Sequence, residues 1–435
     1  MTHRGSPDRT LHVRSLARVE GEGAMHVEVR DGHVTDVQLQ IYEPPRFFEA
    51  FLRGRAFSEP PDITARICGI CPVAYQMSAC AAIEDACGVT VDEGIAALRR
   101  LLYCGEWIES HALHVYLLHA PDFLGFDGAV GLAREHREVV ERGLQLKKVG
   151  NRIMETVGGR AVHPVNVKVG GFYRTPSRQD LARLAEPLRW ALDAAMATVA
   201  WVAGFDFPDF ELDHELVALD QPGLYPIDAG ARVVSTGGLD FGVADFEQQV
   251  IEEQVAHSNA LHARLRDGRR YLVGPLARYS LNSRHLSPAA AQAAAAAGLG
   301  PVCRNPFRSI VVRSVEIVYA CEEALRIIDG YEPPARPAAD LTPRAATGYG
   351  CTEAPRGLLY HRYDLSADGL ILAARIVPPT SQNQAAIEDD LRRFADDRFD
   401  LPTAELTAAC EQAIRNYDPC ISCATHFLDL HVRHS

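Results

Sequence analysis

At 435 residues the chain is long enough to bury a large core, arranged as two or three domains or as one interwoven body. Its 44 basic and 57 acidic residues leave a formal charge of −13, which argues against a nucleic-acid partner. No run approaches about eighteen consecutive apolar residues, so no membrane span is expected. The polar N-terminus lacks an apolar signal segment, and eleven scattered cysteines suit reduced thiols or metal ligands better than a disulfide scaffold; both point to a cytoplasmic protein.

Residues 11–41 alternate, as in Met25-His26-Val27-Glu28-Val29, and Asp31-Gly32 supplies the turn of a hairpin. After Glu43-Pro44-Pro45 the spacing becomes helical, predicting helices at 75–87, 93–119, 130–157, 178–203, 244–266, 285–298, 308–330, 383–398 and 403–416. Glycines between 158 and 171 and the Pro-rich stretch 331–343 interrupt them; the second reads as a surface loop within one body. The alanine run 289–297 is a helix surface, and no internal repeat is present. The fold class expected is α+β and predominantly helical: a large helical bundle core with an N-terminal antiparallel hairpin or sheet. One domain covers 1–435, with a β-rich part at 11–45 and a helical core at 46–426.

Two segments carry chemistry. Arg66-Ile67-Cys68-Gly69-Ile70-Cys71-Pro72 holds a Cys-x-x-Cys in a tight turn, and Asp418-Pro419-Cys420-Ile421-Ser422-Cys423-Ala424-Thr425-His426 holds a second near the other end. This spacing lets both sulfurs of a pair face one metal, and four converging thiolates select a soft or borderline ion. A structural zinc site is the plain reading of two such pairs. Zinc modules keep their pairs roughly 12–20 residues apart, however, whereas closing this site would organise the whole chain. A thioredoxin-like pair is disfavoured because no βαβ pattern surrounds either motif. Cys80, Cys87, Cys104, Cys303, Cys321, Cys351 and Cys410 stand singly among apolar residues and read mostly as small core residues.

The Arg-x-Cys-Gly-x-Cys segment at 66–71 and the Asp-Pro-Cys-x-x-Cys-x-x-His segment at 418–426 resemble the two signatures of nickel-iron hydrogenase large subunits. Arg18-Val19-Glu20-Gly21, Arg46-Phe47-Phe48-Glu49, His119-Ala120-Pro121-Asp122, Gly159-Arg160 with His163-Pro164, Ala354-Pro355-Arg356-Gly357 and Val377-Pro378-Pro379-Thr380 agree with it, so the resemblance runs from about residue 11 to 426. Tyr75 and Glu22 stand where many members have His. With the string Cys-Pro-Val-Ala-Tyr-Gln at 71–76, they resemble the cytoplasmic, NAD(P)-linked branch that includes the sulfhydrogenases.

The resemblance implies that Cys68, Cys71, Cys420 and Cys423 hold nickel, with Cys71 and Cys423 bridging to an iron that carries CO and cyanide. It implies that Pro355, Arg356 and Thr380 line the pocket for those ligands. Cys420 and Glu20 would take and pass on the proton from dihydrogen. Arg356, Asp122 and Asp418 would form a charged canopy over the metals, with a buried salt-bridge cluster as the plain alternative. Glu49 and His426, with a backbone carbonyl near Arg375, resemble ligands of a magnesium ion. A maturation protease would cut after His426, making 427–435 a removable tail.

No further cysteines have ferredoxin spacing and no Gly-x-Gly-x-x-Gly opens a helix after a strand, so this chain is expected to hold no iron-sulfur relay and to bind no dinucleotide by that route, and electrons must leave through another subunit. The resemblance implies that this is an iron-sulfur small subunit, followed by diaphorase subunits with FAD that would exchange electrons with NADP or NAD. The rival readings are the metal-free quinone-site homologue in complex I, a hydrogen sensor and a structural zinc protein. Survival of both cysteine pairs counts against the first.

Overall fold

A computed structural model of the protein describes residues 8–426. Arg9–Val13, Gly23–Arg30 and His33–Ile41 form an antiparallel sheet in chain order. Met25, Val27 and Val29 face the core together with Val37, Leu39 and Ile41, which is why this stretch alternates. Asp31 and Gly32 both take positive φ, 51° and 78°, as a two-residue hairpin turn of this hand requires.

Long helices Pro72–Cys87, Glu93–Leu113, Arg137–Gly158, Arg178–Ala203 and Ser309–Asp329 make the centre. Glu93–Leu113 is buried on almost every side between Arg137–Gly158 and Ser309–Asp329, so its charged residues need internal partners. It runs on through a wider π-helical turn, His114–His119, so the expected 93–119 element is continuous. The expected 130–157 helix breaks at His136 into Ala129–Glu135 and Arg137–Gly158. Arg178–Ala203 starts from a reciprocal cap between Ser177 and Asp180. Residues 331–343 hold no helix or strand, as a loop should.

Two departures are instructive. The expected helix at 244–266 is a one-turn helix, Phe246–Gln249, followed by an antiparallel pair, Val250–Gln254 with Leu261–Leu265. Its apolar residues at 246, 250, 261 and 265 satisfy a helical period as well as two short strands do. The second is an antiparallel sheet, Ala346–Ala354, Gly357–Leu365 and Ile371–Val377, in a region read without strands. Residues 357–361 are buried on both faces, so no alternation marks them. This sheet lies flush on Pro72–Cys87: a Cβ at Gly348 would sit 2.0 Å from the Ala82 carbonyl and one at Gly350 2.4 Å from that of Ser78.

Helix Pro379–Asp396 begins four residues earlier than the spacing suggested, because Pro379 suits a first helical position. Among the described residues no helix is long and apolar enough to cross a membrane.

Candidate metal centre

Cys71 caps Pro72–Cys87, so the first Cys-x-x-Cys is a turn running into a helix. The second opens the one-turn helix Ile421–Ala424. Asp418, just before it, takes φ 51°, and Arg46 ties the two motifs by donating to the carbonyls of Ile67 and Ser422. The sulfurs meet although 352 residues separate the facing partners: Cys68 Sγ lies 3.4 Å from Cys420 Sγ, and Cys71 Sγ 3.4 Å from Cys423 Sγ. Cys420 and Cys423 are 2.8 Å apart at sulfur, and all four ligand atoms fall within 4.8 Å of one another. The amides of Ile70 and Cys71 point at Cys68 Sγ, from 3.3 and 3.4 Å.

Four thiols buried this closely cannot all ionise without a cation among them. Hydrogen bonding from Cys420 holds the Cys68 thiol down, while burial pushes those of Cys420 and Cys423 up. The donor set therefore fits a borderline metal bound by thiolate, which is deprotonated by the metal itself.

Glu20 is held against this cluster by the backbone. Its carbonyl accepts from the Ile421 amide at 3.0 Å, and the adjacent Gly21, at φ 87°, leaves no room for a Cβ, which would meet Ile421 Cβ at 2.6 Å. Glu20 Oε2 lies 3.1 Å from Cys420 Sγ and accepts from the Ser422 amide at 3.0 Å. Burial pushes its carboxyl above the ordinary range, and Cys68 adds to that. Ser422 Oγ in turn donates to Glu43 Oε1 at 3.0 Å, at the edge of the protein.

Arg356 and Asp418 are fully buried and paired: Arg356 Nη2 donates to Asp418 Oδ1 at 3.1 Å and Nε to the Asp418 carbonyl at 2.8 Å. Burial opposes the Arg356 charge, but Asp418 first, and then the adjoining sulfurs of Cys420, Cys71 and Cys68, outweigh it and keep the guanidinium protonated. Arg356 Nη1 and Asp418 Oδ2 have no hydrogen-bond partner among the described residues, so polar capacity remains beside the sulfurs. Thr380 Oγ1 accepts from the Cys420 amide at 3.0 Å, and the Pro355 carbonyl accepts from Arg278 at 3.0 Å.

Asp122 is bound differently from Arg356 and Asp418. It pairs with Arg18 at 2.5 Å and Arg415 at 2.7 Å, and Arg415 holds its carboxyl below the usual range despite burial. It therefore sits in an ion-pair cluster of its own.

Glu49 Oε1 accepts from the Ile376 amide at 2.8 Å, and His426 Nε2 faces the Ile376 carbonyl at 2.9 Å, one residue beyond Arg375. His426 Nδ1 also faces a carbonyl, that of Cys423, at 2.5 Å. Burial keeps this imidazole neutral, so it has one N–H for two carbonyls. A cation between Nε2 and the Ile376 oxygen resolves that mismatch, so this set fits a small divalent ion.

The sequence reading missed several supports. Glu106 caps the helix behind Cys71 by accepting from the amides of Val73 and Ala74, at 2.6 and 3.1 Å. Arg278 binds Glu316, Glu353 and the carbonyls of Ala354 and Pro355. Lone charges in apolar helices were the available signal. Tyr75, noted only as a departure, is buried beside Cys423 and Cys71, and burial first, with these sulfurs adding to it, pushes its hydroxyl up.

The family model of nickel-dependent hydrogenases matches residues 46–142 and 311–426, the segments that carry both cysteine pairs. The alpha subunit of sulfhydrogenase 1 from Pyrococcus furiosus is 34% identical over 427 residues, 97% of this chain and 98% of that one. The beta subunit of the NAD-reducing hydrogenase HoxS from Cupriavidus necator is 28% identical, over 97% of this chain and 95% of its own. The crystal structure of an NAD+-reducing nickel-iron hydrogenase in the H2-reduced state superposes with a TM-score of 0.86 at 27% identity, covering 97% of this chain and all of that one. End-to-end likeness to these proteins, joined to the gathered cysteines, makes the chain a member of the nickel-dependent hydrogenases, oxidoreductases acting on dihydrogen, and the large subunit among them.

Proposed function

We propose that the protein is a catalytic subunit that holds a nickel-iron centre, with CO and cyanide on the iron, and interconverts dihydrogen with protons and electrons. The observation that carries this is the convergence of four thiol sulfurs from the two ends of the chain within 4.8 Å. Cys68, Cys71, Cys420 and Cys423 would hold the nickel and iron. When bound, such a centre supplies the heterolytic cleavage of dihydrogen.

The chain's own residues then manage the proton and the field. Cys420 Sγ takes the proton and hands it to Glu20 Oε2, 3.1 Å away, a hydrogen-bond distance that needs no rearrangement. Ser422 holds Glu20 through its backbone amide, and its hydroxyl binds Glu43. Arg356, fixed by Asp418, keeps a positive charge beside the sulfurs, and its unpartnered Nη1 would be available to a cyanide nitrogen. Asp122, through Arg18 and Arg415, supports the loops that carry them. Pro355 and Thr380 close the apolar wall and hold Cys420 in place. Glu49, His426 and the Ile376 carbonyl bind magnesium and fasten the C-terminal segment.

Electrons leave through an iron-sulfur small subunit and a flavin-bearing diaphorase pair to NADP or NAD in the cytoplasm. Likeness to the sulfhydrogenase and to the NAD-reducing enzymes supports that route. We read residues 1–435 as one domain.

Infrared spectroscopy of the purified complex is the test. Absorption in the window of metal-bound CO and cyanide is expected. A metal-replete complex without those bands would leave the structural zinc reading. The proposed tail, 427–435, lies outside the described residues. Intact mass of the active subunit is expected to end at His426; a fully active subunit that retains residues 427–435 would remove proteolysis from the scheme.

A further inference from the structure

Away from the cysteine cluster, three ligand-type side chains from two separate elements converge. His257 lies in the loop between strands Val250–Gln254 and Leu261–Leu265, His262 lies on the second of these strands, and Glu388 is on helix Pro379–Asp396. His257 Nε2 is 2.7 Å from Glu388 Oε1, His262 Nδ1 is 3.9 Å from Glu388 Oε2, and one ligand atom from each falls within a 4.8 Å span. We propose that His257, His262 and Glu388 bind a divalent first-row transition ion, zinc above all, at a site separate from the nickel-iron and magnesium positions.

Two imidazoles and one carboxylate are the nitrogen and oxygen donors that zinc, rather than magnesium or calcium, selects. Atoms each about 2.0 Å from a tetrahedral zinc lie roughly 3.3 Å apart, a spacing that small side-chain rotations reach from the distances here. The fourth position is open to water, because His257 is 23% exposed at its side chain and Glu388 14%.

A plain hydrogen-bonded triad accounts for less of what is present. His262 is 3% exposed, and its Nδ1, which faces Glu388, stands 3.9 Å from Oε2, too far for a hydrogen bond. No direct hydrogen bond joins these two ligand-type atoms, whereas an ion between them would bind both. Burial lowers its pKa to about 4, and His257 and Arg270 push the same way, so the ring is neutral with a lone pair available. Arg270 is itself paired with Asp389, which reduces its repulsion of a cation.

The site would fasten three parts of the fold. Glu388 Oε1 also accepts from the Leu39 amide at 2.8 Å, and the Asn259 amide donates to the Ile41 carbonyl at 2.7 Å. An ion here ties the N-terminal sheet and the 250–265 hairpin to the helix whose first turn holds Thr380 against Cys420. Glu388 lies eight residues further along that helix than Thr380, about 12 Å at 1.5 Å per residue. The ion is thus a structural clamp with no part in the redox chemistry.

The test uses the untagged complex, dialysed against a chelator and then equilibrated with micromolar zinc, with metals counted per nickel. The wild-type complex is expected to hold one zinc more than His257→Ala or Glu388→Gln, each of which weakens zinc binding at least tenfold, and zinc is expected to raise the midpoint of thermal inactivation only in the wild type. His257 sits on an accessible loop, and unchanged nickel and iron in its variant shows that the chain still folds. Equal zinc in the wild type and the folded His257→Ala variant, whether one or none, overturns the proposal. So does a zinc absorption-edge spectrum without imidazole neighbours.

Discussion

Glu20→Gln is expected to slow exchange between dihydrogen and water protons at least about 100-fold, the lower bound of what a placed acid-base group contributes, with nickel and iron content unchanged. The substitution is nearly isosteric and retains an oxygen to accept from the Ser422 amide, so the backbone bridge to Cys420 survives. Burial already favours the uncharged carboxyl, which a glutamine amide mimics, so little stability is at stake. What is lost is an oxygen that can gain and release a proton 3.1 Å from Cys420 Sγ. Deuterium exchange followed by mass spectrometry, with metal analysis of the same sample, separates these effects. Wild-type exchange in a metal-replete variant would sink the proton route; loss of metal would instead give Glu20 a structural role.

Arg278→Leu is expected to destabilise the fold by about 3–5 kcal/mol, the usual cost of removing one partner from a buried ion pair. Arg278 is fully buried between Glu316 Oε2 at 2.9 Å and Glu353 Oε2 at 3.0 Å, and its guanidinium lies 4.4 Å from the centre of the Trp107 ring. Against desolvation, Arg278 and His111 hold Glu316 down at about 2, whereas burial pushes Glu353 up to about 7. Without Arg278 the Glu316 charge has no adequate counter-ion, and the carbonyls of Ala354 and Pro355 lose their donors next to Arg356. Denaturant unfolding followed by tryptophan fluorescence should show the loss, and adding Glu316→Gln should recover part of it. A shift below about 1 kcal/mol in the single variant would mean that water or rearrangement replaces the guanidinium.

The two cysteine pairs were legible from their own spacing, whereas Glu20, Arg356, Asp418, Thr380, Glu49 and His426 were singled out only because the short motifs around them resemble those of a known family. The structure brings the four sulfurs together, sets Glu20 on Cys420, pairs Arg356 with Asp418 and gathers Glu49 with His426 around Ile376. Asp122 carries the right motif but binds Arg18 and Arg415, a choice made by three-dimensional packing that spacing does not encode. The N-terminal sheet was readable because one face is buried and the other is not. The sheet at 346–377 and the hairpin at 250–265 were not: strands buried on both faces lose their alternation, and short ones share their apolar positions with a helix. The His257, His262 and Glu388 cluster went unnoticed for the same reason, since it depends on that hairpin.

The sulfur atoms of both pairs belong to residues no more than 3% exposed, and the second pair is carried by the short segment 418–426. Arg46 binds this segment at the Ser422 carbonyl, and the Ile376 carbonyl faces its His426. With those contacts closed the thiols are shut away from solvent, so the exchange of any ion at the four sulfurs is expected to follow the rate at which this segment lifts.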